Sequence, residues 1–222
     1  MINKDKDETI IYVVRHGESL SNVYARENPE KTASQFGDLG SSLSKKGQDQ
    51  SNFLANRLKK ITFSAVYSSH LNRARETAEI IAAHYNLPVI TDRSIRERFF
   101  GEPMSHIKKK EIEKKLKKLN EHKKFTFRYF PNGENGQDVS KRFKKFLSKV
   151  RRKNKKKTVL LVTHGYVMRS FLIAIGFAKY DELPPGSIKN GAYFVSKKQG
   201  KSYTISERYG ITRNRGGYDD EE

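Results

Sequence analysis

The sequence predicts an α/β fold: a three-layer sandwich whose central sheet is mostly parallel and is flanked by helices on both faces. Three observations favour it. Short runs of β-branched residues alternate along the chain with longer amphipathic stretches, as strands and helices do in parallel sheets. Two of the runs, TIIYVV at 9–14 and TVLLVT at 158–163, are apolar along nearly their whole length, which is typical of strands covered on both faces. The amphipathic stretches repeat apolar residues at helical spacing and can supply those covers.

Each element has its own local signal. The first helix is predicted over 44–60, because Ser44 is a capping residue and Leu54, Ala55 and Leu58 share one face. The remaining signals predict, in chain order, a strand over 63–67, a helix over 71–85, a strand over 88–91, a helix over 138–153, a nearly all-apolar helix over 165–176, and a closing hairpin over 192–196 and 202–206.

The chain of 222 residues predicts one domain over 1–207, because no Pro- or Ser-rich linker interrupts it. Residues 102–134 are expected to form a basic helical excursion, and residues 208–222 a flexible tail. The absence of cysteine excludes a disulfide scaffold, a thiolate metal site and a cysteine nucleophile. No apolar run reaches the roughly 18 residues that a membrane span needs, and no signal-peptide pattern is present. We therefore expect a cytoplasmic protein without a membrane partner.

The net charge of +20 is concentrated in two segments. Residues 107–124 contain nine Lys and three Glu, and residues 141–157 contain eleven Lys or Arg and no acid, so together they supply +17. Clustered cations can bind a nucleic-acid backbone, but helices with solvated basic faces explain the pattern more simply. Nucleic acid is thus a possible partner that is not favoured. We expect the basic helices to attract anionic small molecules and to form a rim or lid.

Two strands end in the same way. The first runs into Arg15-His16-Gly17-Glu18, and the strand at 158–163 runs into His164-Gly165. Ligands of parallel sheets bind beyond the carboxyl ends of the strands, and each Gly permits a tight turn with close approach of a ligand. Two imidazoles and a guanidinium suit a dianion. They do not suit a metal ion, since no His-x-x-x-His or Cys pattern is present and Arg15 would repel a cation.

Six motifs resemble those of the histidine phosphatase superfamily, which has a phosphoglycerate mutase-like fold. In chain order they are Arg15-His16-Gly17-Glu18 with Asn22, Leu43-Ser44-Lys45-Lys46-Gly47-Gln48, Ser68-Ser69-His70-Leu71-Asn72-Arg73-Ala74, Arg96-Glu97-Arg98-Phe99-Phe100-Gly101, Gly133-Glu134 with Asp138-Val139, and Val162-Thr163-His164-Gly165 with Arg169. The resemblance covers residues 9–196 and keeps the order of the family.

The resemblance implies a role for each matching residue. His16 would be the nucleophile that forms a phosphohistidine, and Glu97 would donate the proton to the leaving oxygen. The residues implied to bind the phosphoryl oxygens are Arg15, Arg73 and His164, with Asn22 assisting. The chemistry agrees, because an imidazole attacks only when it is neutral, and two guanidiniums beside it disfavour its protonation. No metal and no cofactor are implied.

The resemblance favours the phosphatase branch over the mutase branch. Only 35 residues lie between Glu97 and Gly133, whereas the mutases carry a longer insertion there, although the segment Glu97-Arg98-Phe99-Phe100-Gly101 also resembles theirs. A cofactor-dependent phosphoglycerate mutase stays open as an alternative. A catalytically silent module that binds a polyanion or nucleic acid through the basic helices is an alternative of another class. The sequence leaves open the oligomeric state and which small phosphorylated molecule is the substrate.

Overall fold

The computed structural model describes residues 8–28, 41–101 and 109–214. Its six strands are β1 (Ile10–Arg15), β2 (Ala65–Ser69), β3 (Val89–Asp92), β4 (Thr158–Thr163), β5 (Ile188–Gln199) and β6 (Ser202–Ile211). They form one sheet in the order β3-β2-β4-β1-β5-β6. The first four strands run parallel to one another, and β5 and β6 add an antiparallel edge beside β1.

Helices cover both faces of this sheet. They are α1 (Leu20–Glu27), α2 (Lys45–Leu58), α3 (Asn72–Ala83), α4 (Lys109–Lys117), α5 (Glu121–Phe125), α6 (Gly136–Lys153) and α7 (Gly165–Ala174). Helices α6 and α7 pack on the face to which Ile11 and Val13 point. Helices α2 and α3 pack on the other face, against Tyr12 and Val14. Alternate residues of one strand thus enter opposite cores, so β1 has to be apolar on both sides.

The predicted fold class is confirmed, and most element bounds differ by only a few residues. The strand predicted at 158–163 is β4 itself, and Ser44 caps α2 by accepting the backbone N–H of Gly47 at 3.1 Å. The predicted excursion at 102–134 contains the two short helices α4 and α5, while its first part, 102–108, lies outside the described residues.

The predicted tail boundary at residue 208 is wrong, because β6 continues to Ile211. Arg208 pairs with Phe194 of β5, and the carboxylate of Glu207 accepts a hydrogen bond from the hydroxyl of Tyr193 at 2.5 Å. Because Glu207 and Arg208 are charged, the sequence predicts that the strand ends at residue 206. An edge strand has a solvent-facing side, however, and charged side chains there do not prevent the backbone from pairing with the neighbouring strand. The part of the predicted tail beyond residue 214 lies outside the described residues.

Candidate active site

The carboxyl ends of β1 and β4 bring two histidines together. The strands are parallel neighbours, and Arg15 pairs with Thr163 in their register. The residue that follows each of them is a histidine, and the backbone N–H of His16 donates to the carbonyl of Thr163 at 3.1 Å. The rings of His16 and His164 meet edge-on with their centroids 5.1 Å apart. Both side chains are buried, so the two imidazoles lie side by side away from water.

A hydrogen bond to the backbone determines which nitrogen of His16 carries the proton. Nδ1 lies 2.7 Å from the carbonyl oxygen of Gly17, and because a carbonyl only accepts, Nδ1 is the protonated nitrogen. In the neutral ring Nε2 therefore holds a lone pair. The Nε–H of Arg73, a buried residue in the first turn of α3, donates to this Nε2 at 3.3 Å. The lone pair of the neutral ring thus lies on Nε2, with a guanidinium directly against it.

Burial and charge together keep both imidazoles neutral. Burial lowers the pKa of His16 well below its ordinary value of 6.5, and the positive charges of Arg73 and Arg15 lower it further. Burial likewise lowers the pKa of His164 well below that value, and Arg73 contributes in the same direction. A cationic imidazole would lose its hydration here and would face guanidiniums of the same sign. Both rings are therefore neutral at pH 7.

His164 is oriented by a residue of the neighbouring strand. Its Nε2 lies 2.8 Å from the hydroxyl oxygen of Ser69, at the end of β2. That oxygen also accepts the backbone N–H of Leu71 at 3.3 Å, which leaves the hydroxyl proton for the imidazole. Nδ1 of His164 is buried and has no hydrogen-bond partner among the described residues. A buried polar nitrogen without a partner costs free energy unless a ligand supplies one.

Arg15 adds a second guanidinium at the end of β1. Its Nη1 donates to the carbonyl of Ile188, at the start of β5, while its Nε is buried with no partner among the described residues. A Cβ atom placed on Gly165 would lie 3.1 Å from this Nε. Gly165, the first residue of α7, therefore leaves room for the guanidinium. Burial lowers the pKa of Arg15, and the negative charge of Glu97 acts in the opposite direction.

The carboxylate of Glu97 lies in the loop between β3 and α4. One oxygen accepts the backbone N–H of Arg98 at 2.8 Å, and the other accepts the N–H of Tyr166, in the first turn of α7, at 3.4 Å. Glu97 also shares with Arg15 the wall of a cavity of about 260 Å³. The structure thus places a carboxyl group and Arg15 at one cavity, and the role of proton donor that the family resemblance implies for Glu97 stays a prediction.

The backbone around Glu97 is held by an ion pair that reaches it from α6. Arg142 binds both carboxylate oxygens of Glu134, at 2.7 and 3.1 Å, and donates to the backbone carbonyls of Ser94 and Glu97 at 2.9 and 3.2 Å. Glu134 in turn accepts the N–H of Phe99 at 2.9 Å. Burial alone would raise the pKa of Glu134, but the hydrogen bonds of Arg142 and Phe99 lower it below its ordinary value. We call this pair the Arg142–Glu134 clamp.

Asn22 has a structural role at the start of α1. Its side-chain oxygen accepts the backbone N–H of Ser19 at 3.1 Å, which completes a capping box. The same oxygen accepts the amide N–H of Asn190 at 3.2 Å, and Asn190 also donates to the carbonyl of His16 at 3.1 Å. Asn22 is thereby linked to the backbone of His16, and its predicted part in binding phosphate stays a prediction.

The cavity beside Glu97 has an aromatic and cationic wall. Aromatic rings line it, and the guanidinium carbon of Arg98 lies 4.0, 4.4 and 3.8 Å from the ring centroids of Phe100, Tyr129 and Tyr166. Arg98 is buried, and its Nε has no hydrogen-bond partner among the described residues. The stacked rings stabilise this buried cation. The cavity therefore presents positive charge beside the carboxyl group.

Comparison with known proteins identifies the family of this chain. The sequence profile of the histidine phosphatase superfamily (branch 1) matches residues 11–208. The phosphoglycerate mutase-like protein 4 of Arabidopsis thaliana is 34% identical over 172 residues, which are 76% of this chain and 71% of that protein. Among solved structures, YhfR of Bacillus stearothermophilus superposes with a TM-score of 0.70 at 26% identity, over 89% of this chain and 95% of its own.

The protein belongs to the histidine phosphatase superfamily. A mycobacterial glucosyl-3-phosphoglycerate phosphatase shares the fold, with a TM-score of 0.70 at 20% identity over 90% of this chain and 97% of its own. The resemblance to the family is therefore confirmed, and the chain is an enzyme of the phosphatase and mutase-like kind. None of the helices in the described ranges is long and apolar enough to span a membrane.

Some residues of this histidine phosphatase site were not predicted from the sequence. Ser69 lies within the motif at 68–74 and at the carboxyl end of β2, and that position is the signal that could have marked it as a site residue. Asn190 lies in the antiparallel β5 and carries no such signal. The Arg142–Glu134 clamp joins residues that the sequence assigned to a basic helix face and to a loop motif, and only the packing of α6 against 94–99 brings them together.

The buried histidines make stability depend on pH. Below pH 6.5 the unfolded chain binds a proton at each of these imidazoles and the folded chain does not, so the free energy of unfolding decreases as the pH falls. Each histidine contributes a slope of up to about 1.4 kcal/mol per pH unit between its folded pKa and 6.5. Urea unfolding between pH 7 and pH 5.5 measures this slope, which we expect to be shallower by about one such contribution in His164→Asn.

The exposed His84, at the end of α3, provides the matched control. His84→Asn is expected to keep the wild-type slope. Equal slopes in wild type and His164→Asn would contradict the neutral, buried state of His164.

Proposed function

We propose that the protein is a phosphomonoester hydrolase that works through a phosphohistidine on His16. The observation that carries this proposal is the pairing of two buried neutral imidazoles, 5.1 Å apart, with Arg73 hydrogen-bonded to Nε2 of His16. A neutral ring with its lone pair on Nε2 is a competent nucleophile. Guanidiniums around it suit the negative charge that spreads over the oxygens of a transferring phosphoryl group.

In the first step, Nε2 of His16 attacks phosphorus, and the bond from phosphorus to the ester oxygen breaks. Arg73 turns its N–H groups from Nε2 to the phosphoryl oxygens, Arg15 donates from its unpartnered Nε, and His164 donates from Nδ1. Asn22 assists in binding the same oxygens. Glu97, in its protonated form, gives its proton to the departing oxygen, so the product leaves as a neutral alcohol.

In the second step, water attacks phosphorus and the bond to Nε2 breaks. The Glu97 carboxylate accepts the proton of the attacking water, which restores the carboxylic acid. Inorganic phosphate leaves and His16 is neutral again. Division into two transfers lets the same carboxyl group serve first as acid and then as base.

The cavity beside Glu97 is the place proposed for the leaving group. Its volume of about 260 Å³ suits a small alcohol, such as a sugar or a glycerate, better than a segment of a folded protein. Its wall includes the buried Arg98, which favours leaving groups rich in hydroxyl or carboxylate groups. The substrate is therefore proposed to be a small phosphorylated metabolite, and no metal or cofactor is assigned a step.

A phosphoglycerate mutase is the second candidate. It is favoured by the relative from Arabidopsis thaliana, which is named phosphoglycerate mutase-like, and by the segment Glu97-Arg98-Phe99-Phe100-Gly101. A mutase has to retain its phosphorylated intermediate, whereas a hydrolase passes the phosphoryl group to water. A catalytically silent module is disfavoured because the reacting groups are intact and converge on one site.

The replacement of His16 tests the proposed nucleophile. In His16→Ala we expect phosphate release from an aryl phosphate to fall by at least about 10³-fold, because the proposed nucleophile is lost and the neighbouring His164 is proposed to act as a hydrogen-bond donor. Wild type quenched in alkali should carry an acid-labile phosphate that His16→Ala lacks. His84→Ala is the control and should keep the wild-type rate.

Equal rates of phosphate release in wild type and His16→Ala would reject the enzyme assignment. A panel of small phosphoesters, with a bisphosphoglycerate-primed mutase assay beside it, distinguishes the two candidates. If the protein isomerises 3-phosphoglycerate faster than it releases phosphate from any ester of the panel, it is a mutase and not a hydrolase.

The Arg142–Glu134 clamp allows a test of the proton donor. Glu134→Gln weakens the clamp, shifts the backbone of Glu97 and should lower kcat/KM about 10- to 100-fold for an alkyl phosphate, since misplacement of a catalytic group by about 1 Å has effects of this size. For an aryl phosphate with a good leaving group, which departs without a proton, the loss of kcat/KM should be under threefold, because kcat/KM does not include the second step, in which Glu97 acts as the base. Steady-state kinetics with both esters measure the difference.

The KM value for the alkyl phosphate provides the control in this experiment. It should change little, because Arg15, Arg73 and His164 are not part of the clamp. An equal loss of kcat/KM on both esters would mean that the clamp supports the fold in general and does not position Glu97.

A further inference from the structure

Three loops meet at the edge of the sheet opposite the catalytic histidines. The loop before β4 is joined to β1 because the backbone N–H of Ile10 donates to the carbonyl of Lys157 at 3.1 Å. The loop before β2 is joined to β4, since the N–H of Ser64 donates to Thr158 at 2.9 Å. The antiparallel β5 brings its hairpin to the same edge, where Ser196 pairs with Ile11. These contacts place segments 59–64, 152–157 and 196–202 side by side.

This edge is strongly cationic. Its three segments contain no Asp or Glu, and we define the basic edge as their Lys and Arg residues: Lys59, Lys60, Arg152, Lys153, Lys155, Lys156, Lys157, Lys197, Lys198 and Lys201. The carboxylate of Glu8 lies nearby and accepts the backbone N–H of Lys198. Lys197 and Lys198 are half-buried and the other side chains of the edge are exposed.

Several cations of this edge have no ion-pair partner within the described part of the chain. Lys59, Lys60 and Lys157 have no carboxylate at ion-pair distance among those residues. The helix dipole of α6 accounts for the two cations in its last turn, Arg152 and Lys153. It does not account for Lys155 and Lys157, which follow the helix, or for the lysines of the other two segments. Like charges held together repel one another, and a bound polyanion would remove that repulsion.

The sequence predicts that segment 141–157 forms part of a rim around the substrate site. The C-terminal part of this segment belongs to the basic edge and lies too far from the catalytic histidines to do so. Strand β4 runs from the basic edge at Thr158 to the catalytic edge at Thr163, so about 20 Å of strand separates Lys157 from His164. Arg142, at the other end of α6, does lie beside the catalytic loop. The cations beyond residue 151 therefore face away from the substrate of the catalytic site.

The side chains of the edge favour one class of polyanion. Amphipathic segments that lie in a membrane interface insert large apolar side chains, but the exposed ones among the described residues, Leu20, Tyr24, Phe53, Ile90 and Phe99, all lie outside the three segments. Proteins that bind single strands stack bases on exposed aromatic rings, and the only aromatic residue of the three segments, Phe63, is buried. Lys and Arg alone contact phosphates without reading bases.

We infer that the basic edge is a second binding surface, which holds the phosphate backbone of a nucleic-acid duplex without sequence recognition. It lies on the face opposite the catalytic site, so both sites can be occupied together. Binding is expected to weaken steeply with salt, because each neutralised phosphate releases counterions.

The test uses the full-length protein and a fluorescently labelled DNA duplex of 20 base pairs, with anisotropy measured at several salt concentrations. The edge variant combines Arg152→Gln, Lys155→Gln and Lys157→Gln. The matched control combines Lys114→Gln, Lys115→Gln and Lys117→Gln, three exposed cations of α4, so both variants have the same net charge. The edge variant should bind the duplex at least about tenfold more weakly, and its slope of log affinity against log salt should be smaller by about 3. The control should stay within threefold of wild type.

Other results would overturn the inference. Equal losses in the two variants would mean that net charge alone attracts the duplex. Tighter binding to vesicles that contain phosphatidylserine, or to a single strand, would assign the edge to another partner. No binding of the duplex at 50 mM salt and micromolar protein would show that the basic edge is not a nucleic-acid binding surface. Phosphate release should be the same in the edge variant and in wild type, so this inference can fail while the proposed catalytic function stands.

Discussion

The neutrality of two imidazoles buried beside guanidiniums is the constraint on which the site depends. In water an imidazole titrates near pH 6.5, but burial and the charges of Arg73 and Arg15 hold the pKa of His16 well below that value. The same surroundings that prevent protonation attract a phosphoryl dianion. One arrangement of charge therefore suits both parts of the proposed reaction: it keeps the imidazole of His16 neutral, and it can bind the phosphoryl group that His16 is proposed to attack.

The sheet order produces this arrangement. Strands β2, β4 and β1 are consecutive neighbours and run parallel, so their carboxyl ends meet at one edge. Each end brings one part of the site: β1 brings Arg15 and His16, β4 brings His164, and β2 brings Ser69 and then α3 with Arg73. The amino ends of the same strands meet at the opposite edge and carry the basic loops. The fold thus separates a buried, desolvated group of cations from an exposed one.

The sequence alone predicts the centre of the site, because that centre follows from elements with strong local signals. Strands β1 and β4 are apolar along nearly their whole length, each is followed by His-Gly, and parallel strand ends coincide in space, so the meeting of His16 and His164 could be expected. What depends on packing between distant segments could not. Neither Asn190 on the carbonyl of His16 nor Arg142 on that of Glu97 has a local signal. The charged residues Glu207 and Arg208 made the predicted end of β6 earlier than the observed one. The direction of α6, which depends on packing, determines which of its cations lie near the catalytic histidines.

The state of the His16 ring is the most direct test of the account. Nitrogen-15 NMR of histidine-labelled protein, with His16 assigned by comparison with His16→Ala, reports the protonation of each ring nitrogen. At pH 7 without ligand, His16 should show a protonated Nδ1 and an unprotonated Nε2, and it should stay neutral when the pH is lowered to 5.5. A cationic ring at pH 7, or a neutral ring with its proton on Nε2, would contradict the assignment of Nε2 as the attacking atom.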